Sequence, residues 1–246
     1  MSPFKLAALC AATLCGGAAQ SASILDTFSD GTGVIQTDAA PYVEIRLPSA
    51  EAPGGGRYLA NGIDPATAQS GKFSFAAIQA GAYFTLADAA LPLYTNLTYG
   101  VANLLGQDLS IDLSTESAFQ LDFRYVSAPM SLTASVITAR GPGSVSSVAN
   151  VAMTVDASLA QRVMIPFSAF VDDAGNPSPV NWSDIDAISF VVSGPGGSGL
   201  ALDTFSTAQA VPEPASVVLL AAGLALVAGV AQRQRQRPCA TAHAVH

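Results

Sequence analysis

Residues 119–125 read Phe-Gln-Leu-Asp-Phe-Arg-Tyr, in which apolar and polar side chains alternate at every position. Successive side chains of a β-strand point to opposite faces of a sheet, so this period of two predicts a strand with one buried face. The buried face would carry Phe119, Leu121, Phe123 and Tyr125. This is the clearest secondary-structure signal in the 246-residue chain.

Weaker alternation of the same kind predicts five more strands, and clusters of glycine and proline interrupt the chain at residues 53–56, 141–143, 173–177 and 194–197. No long helical periodicity of 3.6 residues precedes Pro214. Short strands separated by turn-forming clusters predict an all-β fold, a β-sandwich. The additional strands are predicted at residues 72–78, 82–87, 132–138, 151–155 and 188–192.

The pentapeptide Leu-Asp-Thr-Phe-Ser occurs twice, at residues 25–29 and 202–206. Two copies do not make a repeat architecture, which needs several copies at a fixed period. Either the first and last strands lie side by side in similar environments, or the match is a coincidence. Both interpretations stay open at this point.

A second stretch carries a family resemblance. It combines VMIPFSAF at 163–170, VNWSDIDAISFVV at 180–192 and LALD at 200–203, and it resembles the last strands of galactose-binding-like jelly rolls, many of which are carbohydrate-binding modules. The resemblance implies a jelly-roll sandwich with polysaccharide as its candidate ligand. Jelly rolls of this kind often hold a structural calcium ion, and Asp26 and Asp203 could share one if the end strands meet.

Cysteine and histidine are absent between residues 24 and 210, since they occur only as Cys10, Cys15, Cys239, His243 and His246. This excludes disulfides, Ser-His and Cys-His nucleophiles, and histidine or thiolate zinc sites from that region. The same region carries 17 acidic and six basic side chains, a formal charge of −11. Phosphate repels such a domain, so nucleic acid and anionic membrane surfaces are not expected partners.

Binding of a sugar normally uses an exposed aromatic ring as a stacking platform. Trp182 is the only tryptophan, and its position before an apolar strand favours packing over the core edge, with ligand stacking as the alternative. Tyr42, Tyr58, Tyr94 and Tyr99 are equally good platforms, and the sequence does not rank them.

Hydrolysis of a glycosidic bond needs two carboxylates on opposite sides of that bond. The domain offers many acidic residues, among them Asp122, Asp184 and Asp186, but the sequence marks no pair. We therefore expect no catalytic residues and no enzymatic activity, and a carboxylate-dependent, glycan-active enzyme is the alternative.

The N-terminus has the order of a secretory signal helix over residues 1–23: Lys5, an apolar run at 6–14, and small residues up to Ser23. Cleavage after Ser21 or after Ser23 fits equally well. A lipoprotein signal needs a small residue before its cysteine, whereas Cys10 and Cys15 both follow leucine.

Three features follow one another at the C-terminus. A proline-rich motif comes first, an uncharged stretch of 17 residues at 215–231 follows, and an arginine cluster ends the series. Seventeen residues lie at the lower limit for a membrane-spanning helix, and flanking arginines place that end in the cytoplasm. The motif is Val211, Pro212, Glu213 and Pro214, and the arginines are Arg233, Arg235 and Arg237.

This order resembles the PEP-CTERM tail, also catalogued as an ice-binding protein C-terminal domain. The resemblance implies recognition of residues 211–214 by an exosortase, a membrane protease that processes the chain there and releases it to the cell surface or the extracellular matrix. The nine residues after Arg237 are more than such tails usually carry, and a plain single-pass anchor is the alternative. The domain has no regular Thr-x-Thr repeats, so the ice-binding label does not describe it.

The sequence therefore predicts four segments: a signal peptide (1–23), an exported β-sandwich (24–210), a sorting signal (211–237) and a cytoplasmic tail (238–246). We expect a protein anchored in the inner membrane before processing and exposed at the cell surface or released afterwards. Its expected role is non-catalytic, with polysaccharide as candidate ligand. A deep cleft with two facing carboxylates would favour the enzyme, whereas a shallow groove with an exposed aromatic ring would favour the binding protein.

Overall fold

The computed structural model describes residues 23–38, 42–63, 71–100, 109–138, 144–153 and 160–209. All of these residues belong to one compact unit, Ser21–Ala210. They contain β-strands and two short 3₁₀ turns, Pro53–Gly55 and Phe167–Ala169, with no α-helix. No helix in these ranges could cross a membrane. The predicted signal helix and the predicted membrane helix lie outside the described residues.

Thirteen strands occur in the described ranges. They are β1 (Ser23–Asp26), β2 (Gly33–Thr37), β3 (Tyr42–Pro48), β4 (Gly56–Gly62), β5 (Ser74–Gln79), β6 (Ala82–Ala87), β7 (Leu93–Tyr99), β8 (Ala118–Val126), β9 (Met130–Thr138), β10 (Val145–Met153), β11 (Gln161–Pro166), β12 (Ala187–Gly194) and β13 (Gly199–Ala208).

The strands form two antiparallel sheets. Sheet A has the order β11-β8-β13-β6-β5-β2, with β1 also paired to β13, and sheet B has the order β10-β9-β12-β7-β4-β3. The core lies between them, where Phe119 and Phe205 of sheet A meet Phe190 of sheet B with ring centroids 4.8 to 6.1 Å apart. Removal of these apolar side chains from water is the main force that holds the sheets together. The prediction of an all-β sandwich is confirmed.

One residue of the first predicted strand lies on the wrong face. Phe123 is buried, but Tyr125 is 44% exposed. The pairing of β8 with β13 shifts register at this point, because Leu202 pairs with Phe123 while Ala201 pairs with Tyr125. Such an irregularity reverses the face of the residues that follow, so Val126 takes the buried position that we predicted for Tyr125.

The two copies of the pentapeptide lie next to each other. β1 runs antiparallel to the end of β13, with Ser23 opposite Thr207 and Ile24 opposite Ser206. The expectation that the end strands are neighbours is confirmed. The chain therefore enters and leaves the described sandwich at the same end. The environments of the two copies differ, however, because Asp26 is buried and Asp203 is partly exposed.

Candidate functional site

Four of the six strands of sheet B, β7, β9, β10 and β12, contain no Asp, Glu, Lys or Arg, although the domain is acidic. On the outer face of this sheet, Glu44 and Arg46 are charged side chains of the edge strand β3. Directly paired residues of antiparallel strands share a face, so the register identifies the outward side chains, most of which are serine, threonine, asparagine or tyrosine. We call this surface the neutral face. It consists of Tyr58, Ala60 and Gly62 on β4, Tyr94, Asn96 and Thr98 on β7, Ser189, Val191 and Ser193 on β12, and Ser131, Thr133 and Ser135 on β9.

A pocket of ≈ 610 Å³, here called the tyrosine pocket, lies at one end of the neutral face. Tyr42 and Tyr94 form two of its walls and are 46% and 45% exposed. Gly62 pairs with both tyrosines, so it lies between them and has no side chain to fill the gap. Two strand spacings, about 9.5 Å, separate the backbones of β3 and β7. The other lining residues are Ile63, Pro92, Leu93, Ser193 and Gly194.

A second, smaller pocket of ≈ 310 Å³, the hydroxyl pocket, lies further along the same strands. Asn96 Oδ1 accepts hydrogen bonds from Ser189 Oγ at 2.7 Å and from Thr98 Oγ1 at 2.9 Å. Four residues of β7, about 14 Å, separate Tyr94 from Thr98, so an extended ligand can contact both pockets. The lining residues are Tyr58, Asn96, Thr98, Ser135, Ile137, Ala187 and Ser189.

Glu44 lies beside the tyrosines, on the same strand as Tyr42, β3. Glu44 accepts a hydrogen bond from the Tyr58 hydroxyl, and the Tyr58 and Tyr42 hydroxyls are 3.3 Å apart. Partial burial raises the pKa of Tyr42, and the nearby Glu44 and Tyr94 raise it further. Glu44 therefore fixes the position of Tyr58 and lies close enough to Tyr42 to affect its ionisation.

This arrangement suits a ligand with both apolar and hydrogen-bonding surfaces. An exposed tyrosine ring offers a flat apolar face, and its hydroxyl offers a donor and an acceptor. The serine, threonine and asparagine side chains supply further donors and acceptors without a net charge. A molecule with C–H faces and many hydroxyl groups matches both properties.

Trp182 does not line either pocket. Its ring stacks on Phe167 with a centroid distance of 3.8 Å and an interplanar angle of 4°, and it meets Phe119 and Phe170 edge to face. These contacts support the packing interpretation of Trp182 and give no support to ligand stacking. Among the tyrosines that the sequence could not rank, Tyr99 is fully buried, whereas the other three lie on or beside the neutral face.

Asp26 is buried in an internal ion pair. Arg57 donates to its two oxygens over 2.5 and 2.6 Å, and both side chains are entirely inaccessible to water. The Tyr99 hydroxyl donates to the same carboxylate over 2.7 Å, and burial together with the Asp26 charge raises the pKa of Tyr99 well above its ordinary value. Arg57 also donates to the Asp30 carbonyl over 2.7 Å.

Asp203 has a different partner, Arg124, at 2.9 Å. The structure thus brings β1 and β13 together but pairs Asp26 and Asp203 with separate arginines. Within the described ranges no group of three or more His, Cys, Asp or Glu side chains could hold a metal ion. A calcium ion shared by Asp26 and Asp203 stays a prediction that these contacts do not support.

The sequence analysis did not identify Asn96, Thr98 and Ser189. The absence of charge from β7, β9, β10 and β12 is the signal that could have identified them, because the region from residue 24 to residue 210 has 23 charged side chains. Locating the outward residues on those strands, however, requires the pairing register.

The C-terminal tail matches a known protein-family model. Residues 210–236 match the model of the PEP-CTERM protein-sorting motif. The chain carries a PEP-CTERM sorting motif. The match contains the predicted recognition residues at 211–214 together with Arg233 and Arg235, and all of them lie outside the described residues. No curated protein sequence matches the chain.

Several solved structures are similar to the sandwich. The family 11 carbohydrate-binding module of a cellulosomal cellulase of Clostridium thermocellum is 14% identical, with 78% of this chain and 97% of the module covered and a TM-score of 0.41. An agarase is 14% identical, with 78% of this chain and 25% of the agarase covered and a TM-score of 0.40.

Proposed function

We propose that this protein is exported, is sorted through its PEP-CTERM motif, and binds polysaccharide through the neutral face without catalysing a reaction. One observation carries the binding proposal: two exposed tyrosines flank a glycine at the end of an uncharged groove of hydroxyl and amide side chains. Sugar rings have apolar C–H faces that stack on aromatic rings and hydroxyl groups that bond to such side chains.

The proposed location follows from the two ends of the sequence. The signal helix at 1–23 directs export, and the apolar stretch at 215–231 with Arg233, Arg235 and Arg237 anchors the chain in the inner membrane. An exosortase then processes the chain at residues 211–214, which leaves the sandwich at the cell surface or in the extracellular matrix. The PEP-CTERM match at 210–236 supports this proposal.

We also propose that the sandwich belongs to the jelly-roll, galactose-binding-like class. Supporting this, the chain crosses repeatedly between the sheets, for example from β6 in sheet A to β7 in sheet B and on to β8 in sheet A.

The non-catalytic part of the proposal rests on the lining of the two pockets. Hydrolysis of a glycosidic bond needs two carboxylates roughly 5 to 10 Å apart. Neither lining includes an aspartate or a glutamate among the described residues, and Glu44 lies beside the pockets without lining them. A groove with exposed aromatic rings and no pair of acids fits binding better than catalysis.

The test is affinity electrophoresis of the purified full chain in gels that contain single neutral polysaccharides, such as hydroxyethyl cellulose, mixed-linkage β-glucan, galactan and agarose. We expect at least one of them to retard the wild type. Tyr94→Ala should weaken this binding about fivefold, because an aromatic contact contributes on the order of 1 kcal/mol. Tyr125→Ala is the matched control, since Tyr125 is equally exposed but belongs to sheet A. Equal effects of the two substitutions, or no retardation by any polymer, would refute binding at the neutral face.

A further inference from the structure

Charge is distributed unevenly over this domain. The region from residue 24 to residue 210 has a formal charge of −11, yet no acidic or basic side chain lines the tyrosine pocket or the hydroxyl pocket in the described structure. Carboxylate or sulfate groups on a polysaccharide lose their hydration when they enter a groove, and a cationic partner has to offset that loss. The two pockets contain no such partner.

Apart from Arg46, the basic side chains of the described sandwich are already engaged in ion pairs. Arg57, Lys72, Arg124 and Arg162 each form an ion pair with an aspartate. Arg46 stands on β3, two residues after Glu44 on the same face, and lines neither pocket. Arg46 lies directly opposite Tyr58 and is the cation that the described structure places at the edge of the neutral face. No cation lines either pocket among the described residues, so an anionic group that enters a pocket finds no positive partner there.

Glu44 is placed to strengthen this discrimination. Its carboxylate is bonded to the Tyr58 hydroxyl, which lines the hydroxyl pocket, and it lies near Tyr42, which lines the tyrosine pocket. A negative charge held between the two pockets repels an acidic group in either one and leaves a neutral sugar unaffected. Glu44 thus influences both pockets without lining either.

We infer that the neutral face selects uncharged polysaccharides against carboxylated or sulfated ones, and that Glu44 determines this selectivity. The inference rests on the proposed polysaccharide binding and adds the chemical class of the ligand. Glu44 also acts as a positioning residue, because its hydrogen bond fixes Tyr58.

The experiment compares neutral and anionic forms of the same polymer: hydroxyethyl with carboxymethyl cellulose, and dextran with carboxymethyl dextran. Binding of the full chain is measured at low and at high ionic strength. We expect the neutral form of a bound polymer to bind at least tenfold more tightly at low salt. The difference should shrink at high salt, because a Debye length of about 3 Å at 1 M screens the repulsion.

The decisive variant is Glu44→Gln, which keeps an acceptor for the Tyr58 hydroxyl and removes the charge. It should bind the carboxymethyl polymer several-fold more tightly than the wild type, so that the ratio of neutral to anionic affinity falls several-fold. Asp184→Asn is the matched control, because it removes the same charge from an exposed position outside both pockets. It should leave both affinities as they are.

Each other outcome has a separate meaning. Equal or tighter binding of the anionic polymer by the wild type would overturn the inference and leave polysaccharide binding intact. A preference for neutral polymers that Glu44→Gln does not alter would overturn the role of Glu44. Failure to bind any polymer would refute the proposed function, and the inference with it.

Discussion

Asp26 illustrates how one buried charge can hold a loop in place. Its carboxylate accepts hydrogen bonds from Arg57, from the Tyr99 hydroxyl and from the Phe28 backbone amide at 2.8 Å. The guanidinium of Arg57 reaches on to Asp30 and lies 5.3 Å from the centre of the Phe28 ring. Burial of a charge is costly unless hydrogen bonds and an opposite charge offset it, and here both do. The network thereby ties the loop after β1 to β4 and β7.

Substitution of Arg57 by methionine would leave the Asp26 carboxylate buried without its counter-charge. We expect a loss of about 3–5 kcal/mol in the free energy of unfolding, measured by urea denaturation. Arg162→Met is the matched control, because the Arg162–Asp122 pair is exposed, and exposed pairs contribute less than about 1 kcal/mol.

A second variant separates charge from packing. In the double variant Asp26→Leu with Arg57→Met both charges are gone, so part of the lost stability should return. If Arg57→Met alone were as mild as Arg162→Met, the buried network would not be important for stability.

At the scale of elements, the 3₁₀ turn at Phe167–Ala169 and the loop before β12 close one end of the core. The parallel contact between Trp182 and Phe167 joins these two segments, and Phe119 lies against both rings. Such contacts between aromatic rings contribute beyond the area that they bury. Trp182 therefore acts as part of the core edge.

This role can be tested with the intrinsic fluorescence of Trp182, the only tryptophan. We expect its emission to change on unfolding but not on addition of a bound polysaccharide. Trp182→Ala should lower the free energy of unfolding by roughly 2–4 kcal/mol, because it leaves a cavity beside Phe167. Polysaccharide affinity should stay the same, and a loss of affinity at full stability would instead indicate that Trp182 contacts the ligand.

A sequence pattern predicts a strand when the pattern depends only on local backbone geometry, and it fails where the structure depends on strand pairing. Alternation along residues 119–125 was sufficient to predict β8, because a period of two follows from local backbone geometry. It failed at Tyr125, because the register shift depends on the pairing of β8 with β13.

The candidate site was harder to predict from the sequence than the strands, because it depends on the order of the strands in the sheet. Tyr42 and Tyr58 come from the consecutive strands β3 and β4, whereas Tyr94 comes from β7, which is remote in sequence but lies beside β4 in sheet B. Their grouping depends on strand order, which side-chain periodicity does not report. The sequence could name these tyrosines as candidates, but only the pairing register separates them from the buried Tyr99.

At the scale of the whole molecule, the sorting motif predicts that the chain is cut and loses its C-terminal tail. In the native host, the mature chain should lack the apolar tail, and a variant with Pro212, Glu213 and Pro214 replaced by alanine should remain full length in the membrane. Intact-mass measurement and cell fractionation check both outcomes. Retention of the tail by both proteins would mean that the chain is a simple membrane-anchored sandwich.

The adjacency of Ser23 and Thr207 has a mechanical consequence. Residues 195–198 alone connect the end of β12, at the tyrosine pocket, to the start of β13, so the pocket and the chain ends are separated by the length of β13, about 34 Å. A polymer bound at the pocket would pull against an anchor after Ala208 across this distance. The pocket belongs to sheet B and β13 to sheet A, so this load would pass from one sheet to the other through the apolar core and through residues 195–198. The proposed ligand and the proposed anchor would therefore act at opposite ends of the described sandwich.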